Sequence, residues 1–170
     1  VSQIDPLTNA YNLNAFLEKT DEIISENPSR KYAVLYSDIN QFKLINDNYG
    51  YRSGDRILIT LAEILKSTGG SNAIVARITG DKFVALYPYE DTKELTKLVI
   101  AIVTKSKHIQ READDFYKLT LVIGVYPIQP GDSAIIAVDR ANIARKNVGD
   151  YHLCNYMYYD ESMHNTLANQ

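Results

Sequence analysis

The sequence is poor in the residues that form disulfides and most transition-metal sites. It contains one cysteine, Cys154, and three histidines in 170 residues. A single cysteine excludes an internal disulfide and a thiolate metal cluster, and it favours a reducing compartment such as the cytosol. The histidines show no metal-ligand spacing; they are His108, His152 and His164. The fold is therefore expected to depend on a single hydrophobic core.

Long apolar runs and an excess of positive charge are also missing. No apolar stretch is long enough to span a bilayer, and the N-terminal residues lack a signal-peptide pattern. The formal net charge is −3 and the isoelectric point is about 5.6, so the surface does not predict nucleic-acid binding or membrane contact. Because the sequence does not begin with methionine, we expect a cytoplasmic domain cut from a longer protein, which could itself carry a membrane anchor.

What is present is the composition and periodicity of one globular domain. Hydrophobic residues make up 45% and charged residues 23% of the chain, both close to globular averages. Helices are predicted over 12–26, 41–50, 52–67, 91–109 and 131–148, and strands over 32–39, 72–78, 82–89, 117–128 and 154–159. This order predicts an α+β fold, a ferredoxin-like antiparallel sheet flanked by helices. We expect the helices to lie on one side of the sheet.

Two carboxylates fall where predicted strands end. Asp38 ends the strand over 32–39, and Asp81 lies at the tip of the hairpin in "ARITGDKF". If that strand pairs with the hairpin, both carboxylates emerge at the same edge of the sheet. Such a pair can hold Mg²⁺ while a substrate phosphate completes the shell, which serves phosphoryl transfer. Spacing alone favours simpler roles, in which Asp38 caps the next helix and Asp81 makes the turn.

The loop between the second and third predicted helices raises a similar choice. Asn46 and Asp55 lie on either side of it, where an amide and a carboxylate could bind the edge of a purine. Asp55 could equally stabilise the first turn of its helix through the dipole. Lys43 and Lys146 are candidate phosphate partners, although an exposed lysine on a helix needs no functional explanation. Spacing alone leaves these alternatives open.

Taken together, these stretches resemble the GGDEF domain, the module that in active members makes cyclic di-GMP from two GTP molecules. The matched stretches are "DPLTNAYNLNAF" (5–16), "SDINQFKLINDNYGYRSGDRIL" (37–58), "ARITGDKF" (76–83), "IGV" (123–125) and "ARKNVG" (144–149). The second is similar to the family's D-x-D-x-F-K-x-I-N-D-x-x-G-H-x-x-G-D. The resemblance implies the core shared by class III nucleotide cyclases and polymerase palms. It also implies a single GGDEF-like domain over 1–160, followed by a tail or the start of a linker over 161–170.

The resemblance further implies site residues. Asp38, the Ile39 carbonyl and Asp81 correspond to the Mg²⁺ ligands, and the two aspartates also correspond to the catalytic positions. The other matched positions would contact GTP: the guanine through Asn46 and Asp55, and the phosphates through Lys43, Lys146 and the backbone at Gly80.

Several positions depart from the family pattern. The name-giving motif is Thr79-Gly80-Asp81-Lys82-Phe83, so a lysine replaces the glutamate and adds a cation close to where Mg²⁺ should bind. Asp150 replaces an arginine that grips phosphate, which removes a bidentate donor. Other replacements are Leu13 for arginine, Asn40 for the second aspartate of D-x-D, and Tyr51 for histidine. Residues 70–73, "GSNA", lack both charges of the product-inhibition motif R-x-x-D.

These departures favour a degenerate GGDEF domain that binds GTP and regulates a cyclic di-GMP signalling protein, with weak or no cyclase activity. In a sharper form of this hypothesis, the Lys82 ammonium occupies the metal position and GTP binds without Mg²⁺. One alternative is an active diguanylate cyclase working as a symmetric homodimer. Another is an interaction or dimerisation module that binds no nucleotide. The stretch "YYDESMHNTLANQ" (158–170) resembles the segment that leads into an EAL phosphodiesterase domain, so such a neighbour in the same chain is expected.

Overall fold

Helices and strands are interspersed along the chain in the computed structural model, which describes residues 2–112 and 115–168. The helices are α1 Leu13–Glu26, α2 Phe42–Tyr49, α3 Tyr51–Gly69, α4 Thr92–Lys107, α5 Ala134–Lys146 and α6 Glu161–Ala168. The strands are β1 Tyr32–Ile39, β2 Ile74–Thr79, β3 Lys82–Pro88, β4 Gln110–Glu112, β5 Asp115–Phe116, β6 Leu121–Pro127 and β7 Tyr156–Tyr158. No helix within the described ranges is long and apolar enough to cross a membrane.

Five strands form the central sheet in the order β2-β3-β1-β6-β7. The middle strand, β1, is antiparallel to both β3 and β6, and β2 and β3 form an antiparallel hairpin. The edge strand β7 is parallel to β6, so the sheet is mixed rather than wholly antiparallel. The predicted α+β class is confirmed, and the parallel edge is a feature that periodicity could not reveal.

Helices cover both faces of this sheet, so the expectation of helices on one side was wrong. Side chains of β1 alternate between the faces. Val34 and Tyr36 pack with α1 and α5, whereas Ala33 and Leu35 pack with α3 and α4. This two-sided burial explains why β1 is a continuous apolar run rather than an alternating one.

Capping side chains define where several helices begin. The Asn12 side chain accepts a hydrogen bond from the Ala15 N–H at 2.9 Å, and Asp91 accepts one from the Glu94 N–H at 2.8 Å. These caps place α1 and α4 within one residue of their predicted starts. Helix α5 begins later than predicted, because Ser133 is its cap and Gly131 before it has a φ of +88°.

Three of the elements were not predicted. Strands β4 and β5 form a separate two-stranded sheet between the helix predicted over 91–109 and the strand predicted over 117–128. Helix α6 occupies most of the predicted tail and contacts α5. Residues 169 and 170 of that tail lie outside the described residues.

Candidate functional site

Asp38 and Asp81 lie together at the end of β1. The Asp81 Oδ2 atom accepts a hydrogen bond from the Ile39 backbone N–H at 2.8 Å. This bond ties the tip of the β2–β3 hairpin to β1, and Gly80, with a φ of +53°, supplies the turn. The structure therefore brings the two carboxylates together, as the strand pairing predicts, while their roles stay predictions.

Lys82 is the cross-strand neighbour of Asp38. The last registered pair between β1 and β3 joins Ser37 to Phe83, so Asp38 and Lys82 occupy the next positions along the two strands. Both also belong to the sheet face that packs against α5, because side chains alternate along a strand. The lysine that replaces the family's glutamate therefore sits beside the first predicted metal ligand.

A guanidinium that the sequence reasoning missed contacts the Asp38 carboxylate directly. The Arg145 Nη1 atom, on α5, donates to Asp38 Oδ2 at 2.7 Å, and the two side chains are 13% and 20% exposed respectively. Arg145 Nε and Nη2 both donate to Asn142 Oδ1, at 3.0 and 2.8 Å. The guanidinium also lies 5.2 Å from the centre of the Tyr36 ring. Arg145 is thus held by an anion, an amide and an aromatic ring.

Close packing of α5 on β6 makes this contact possible. A Cβ atom at Gly124 of β6 would lie 2.0 Å from the Ala141 carbonyl oxygen and 2.3 Å from the Arg145 nitrogen. Only a residue without a side chain fits there, so the backbone of α5 rests directly on β6. Since Asp38 lies opposite Val122 in the neighbouring strand pair, Arg145 can reach across β6 to the end of β1.

We call Asp38, Asp81, Lys82 and Arg145 the charged cluster. Burial raises the pKa of the Asp38 carboxyl above its ordinary value. The Arg145 charge opposes that rise, Asp81 adds to it, and Lys82 opposes it more weakly. The net shift is upward, so two nearby cations do not fully offset the cost of placing this carboxylate in a partly dry site next to a second one.

Both carboxylates of the charged cluster already have protein partners. Across residues 2–112 and 115–168, no group of three or more carboxylate, histidine or cysteine side chains is placed to hold a metal ion. The Asp38 carboxylate faces a guanidinium, and Asp81 accepts the Ile39 N–H. These residues, as placed, do not fit Mg²⁺, because a positive group already neutralises the carboxylate expected to bind it.

The predicted guanine-binding residues lie where α2 and α3 meet. Gly50, with a φ of +89°, separates the helices, and Asn46 on α2 faces the first turns of α3. A Cβ atom at Gly54 would lie only 1.9 Å from Asn46 Oδ1. That oxygen is buried and has no hydrogen-bond partner among the described residues, whereas Asp55 is exposed. We call Asn46, Gly54 and Asp55 the helix-pair contact.

The remaining predicted site residues are on the surface. Lys43 on α2 and Lys146 at the end of α5 are exposed, which suits a phosphate contact but does not require one. Asp150, which stands where the family has a phosphate-binding arginine, accepts a hydrogen bond from the His152 N–H at 2.9 Å. Its carboxylate is therefore engaged in a local turn.

Several cavities lie at the opposite end of the strands from the charged cluster. One, of about 310 Å³, is lined by residues that include Tyr32 and Tyr89. Another, of about 530 Å³, is lined in part by Ser71 and Asn72, within the stretch that lacks the product-inhibition charges. The charged cluster and the helix-pair contact do not line either of these two cavities.

Comparison with known proteins identifies the family. The chain matches the family model described as diguanylate cyclase, GGDEF domain, over residues 2–150. The chain belongs to the GGDEF domain family.

Curated relatives are considerably longer than this chain. It is 34% identical over 125 residues to the cyclic di-GMP phosphodiesterase PdeB of Shewanella oneidensis, covering 73% of this chain and 14% of the relative. It is 35% identical over 100 residues to the diguanylate cyclase DgcN of Escherichia coli, covering 58% and 24%. It is 30% identical over 164 residues to YhcK, an uncharacterised protein of Bacillus subtilis, covering 90% and 45%. The chain thus spans less than half of each of these relatives.

Solved structures share the fold. The isolated GGDEF domain of the Pseudomonas aeruginosa protein called TpbB or YfiN aligns with a TM-score of 0.85 and 22% identity, covering 97% of this chain and 99% of that one. The GGDEF domain of DgcB from Caulobacter crescentus, in complex with c-di-GMP, aligns with a TM-score of 0.79 and 23% identity, covering 93% and 96%. At these identities the comparison establishes the architecture.

Proposed function

We propose that this chain is a degenerate GGDEF domain that binds GTP at the end of its sheet and regulates a cyclic di-GMP signalling protein, with weak or no cyclase activity. The observation that carries the proposal is the 2.7 Å ion pair between Arg145 and Asp38. It engages the carboxylate on which a catalytic metal would depend. Losing transition-state charge stabilisation typically lowers a rate by about 10²- to 10³-fold per interaction, and here Lys82 compounds the loss.

The helix-pair contact supports retention of a guanine site. The Asn46 Oδ1 atom is buried without a partner among the described residues, an arrangement that costs free energy unless another group completes it. Asp55, on the exposed side of the same junction, could accept hydrogen bonds from a purine edge. Neither residue is needed to form the helices, so contact with a ligand explains the presence of both residues better than the fold alone does.

A regulatory role is consistent with the relatives. One is a phosphodiesterase, and another is the bifunctional diguanylate cyclase/cyclic di-GMP phosphodiesterase MucR of Pseudomonas aeruginosa. In a chain of that kind, a domain that binds GTP without turning it over could adjust the activity of an adjacent EAL phosphodiesterase domain. The cytoplasm, where GTP is available, is the compartment this role requires.

The second candidate is an active diguanylate cyclase. It is favoured by one observation, the joint placement of Asp38 and Asp81 at the end of β1. In that case two copies would have to face each other so that each 3′-hydroxyl attacks the α-phosphate of the other GTP.

Calorimetry with GTP, followed by a product assay on the same sample, tests the proposal. We expect GTP to bind at least 10-fold more tightly than ATP, and Asn46→Ala to lose that preference, with no cyclic di-GMP formed in Mg²⁺ or Mn²⁺. Steady accumulation of cyclic di-GMP would instead establish the cyclase. Absence of binding by every guanine nucleotide would favour a module that acts through protein contacts.

A further inference from the structure

We propose that Arg145 is the resident cation of this site: its guanidinium holds the place on Asp38 that a divalent ion would take. It thereby makes phosphate binding at the charged cluster independent of added metal. The inference deepens the proposed function. It rests on that function for one assumption only, which is that the phosphates of the nucleotide bind at this end of the sheet. It assigns a binding role to a residue that the family resemblance does not mark.

The geometry leaves little room for both cations. Arg145 Nη1 lies 2.7 Å from Asp38 Oδ2, and Mg²⁺ binds carboxylate oxygens at about 2.0–2.1 Å. An ion on the same oxygen would lie less than about 5 Å from the guanidinium nitrogen. The site is partly buried, so solvent screens the repulsion between them less than it would at an open surface.

Arg145 is also fixed in this position. Its Nε and Nη2 atoms share the Asn142 amide oxygen, and the Tyr36 ring lies against the guanidinium. Arginine keeps its charge at every physiological pH. The side chain therefore keeps its positive charge beside Asp38 and would lose several contacts by swinging aside.

The guanidinium keeps donors for a ligand. Of its five N–H groups, one donates to Asp38 and two donate to Asn142. Within residues 2–112 and 115–168 the other two have no hydrogen-bond partner, which leaves them for an anionic oxygen, and arginine is well suited to phosphate. Lys82, on the adjacent strand, adds a second positive charge, but the direct contact with Asp38 belongs to Arg145.

Manganese binding, measured by electron paramagnetic resonance without nucleotide, tests this inference. We expect wild-type protein to bind Mn²⁺ weakly, and Arg145→Ala to bind it at least 10-fold more tightly. Arg145→Lys, which restores a cation, should return affinity toward the wild-type level. Adding Asp38→Asn to Arg145→Ala should abolish the gained site, because the ion would rest on that carboxylate.

The matched control is Arg140→Ala, which removes the same charge from the same helix at an ion pair 3.6 Å long with Asp132. It should leave Mn²⁺ binding within twofold of wild type. Circular dichroism checks that each variant is folded. Equal Mn²⁺ affinity in wild type and Arg145→Ala would overturn the inference, and so would a gain from Lys82→Ala as large as the gain from Arg145→Ala.

A nucleotide measurement separates this inference from the proposed function. If GTP binds, its affinity for the wild type should differ less than twofold between EDTA and Mg²⁺. The affinity of Arg145→Ala for GTP should be at least 10-fold higher in Mg²⁺ than in EDTA. A strong Mg²⁺ requirement in wild type would contradict the inference alone. If GTP does not bind at all, the proposed function fails, while the Mn²⁺ experiment still decides the role of Arg145.

Discussion

Gly54 controls the shape of the helix-pair contact although it has no functional group. It lies inside α3, where alanine would ordinarily stabilise the helix by roughly 0.5–1 kcal/mol. Here an added methyl group would meet Asn46 Oδ1 at 1.9 Å and the tip of the Phe42 ring at 3.3 Å. The residue is therefore a site where helix propensity and the position of a functional side chain are in conflict.

Gly54→Ala should weaken GTP binding by at least 10-fold, because Asn46 must leave its position to admit the methyl group. Calorimetry with GTP gives the affinity, and thermal unfolding shows whether the fold is retained. Ser53→Ala, a change at the preceding position, should bind GTP like wild type. Unchanged affinity in Gly54→Ala would mean that the position of Asn46 does not determine nucleotide binding.

At the level of elements, the seating of α5 on β6 determines where Arg145 lies. Gly124 permits the contact, and α5 presents Ala137 and Ala141 to the sheet, both fully buried. These small residues allow the helix axis to approach the strands closely. The distance between α5 and β6 is thus set by residues that carry no charge and have no chemistry of their own.

Gly124→Ala should destabilise the protein by about 1–3 kcal/mol, because the methyl group has no space and α5 must move away. The same shift should break the Arg145–Asp38 pair and raise Mn²⁺ affinity toward that of Arg145→Ala. Urea unfolding gives the stability difference. Gly149→Ala is the control, since a methyl group there meets nothing within 4 Å, and it should change stability by less than about 0.5 kcal/mol.

The elements show what the sequence could predict. Strand β1 was predicted at its observed bounds, Tyr32–Ile39, because a short apolar run flanked by charge has few other structures. The hairpin that carries Asp81 and the meeting of α2 and α3 were equally local. Both depend on turn glycines and helix periodicity, which are properties of adjacent residues.

The features that were missed depend on contacts between distant parts of the chain. The pairing of Arg145 with Asp38 spans 107 residues, and it requires the approach of α5 to β6 at Gly124. A glycine inside an apolar strand indicates that another part of the backbone approaches closely. Gly124 in "IGV" is such a glycine, but the sequence does not show which helix approaches it. The parallel placement of β7 and the two-sided helix packing were likewise invisible to periodicity.

At the scale of the whole molecule, the N-terminal segment supports the hairpin that carries the charged cluster. Arg77 on β2 donates from Nε to the Gly80 carbonyl at 2.8 Å, and its Nη1 lies 3.3 Å from Asp5 Oδ1. Burial acts to raise the pKa of the Asp5 carboxyl, but hydrogen bonds from Thr8 and the charge of Arg77 outweigh it, and the pKa is lowered. A turn near the start of the chain is thus joined electrostatically to a residue 72 positions later.

Arg77→Ala should loosen the hairpin without unfolding the domain. The two side chains are only 19% and 17% exposed, so losing these charged hydrogen bonds should lower stability by about 1–3 kcal/mol. The Ile39 amide, which donates to Asp81, should exchange with solvent several-fold faster, and hydrogen-exchange measurements by NMR detect this. Arg56→Ala, on an exposed part of α3, removes the same charge and should leave that amide unaffected.

The direction of β7 has a practical consequence. Strand β7 starts beside Ile123, near the level of Asp38, and ends beside Val125, so the chain leaves the sheet heading away from the carboxylates. The segment before α1, by contrast, is attached beside the hairpin. A fluorophore, affinity tag or surface linker fused ahead of Ser2 would therefore crowd the region where ligand titrations are read. The chain that follows β7 begins roughly 10–15 Å further along the strands, so an attachment on the C-terminal side, beyond α6, is the better choice for immobilising this domain.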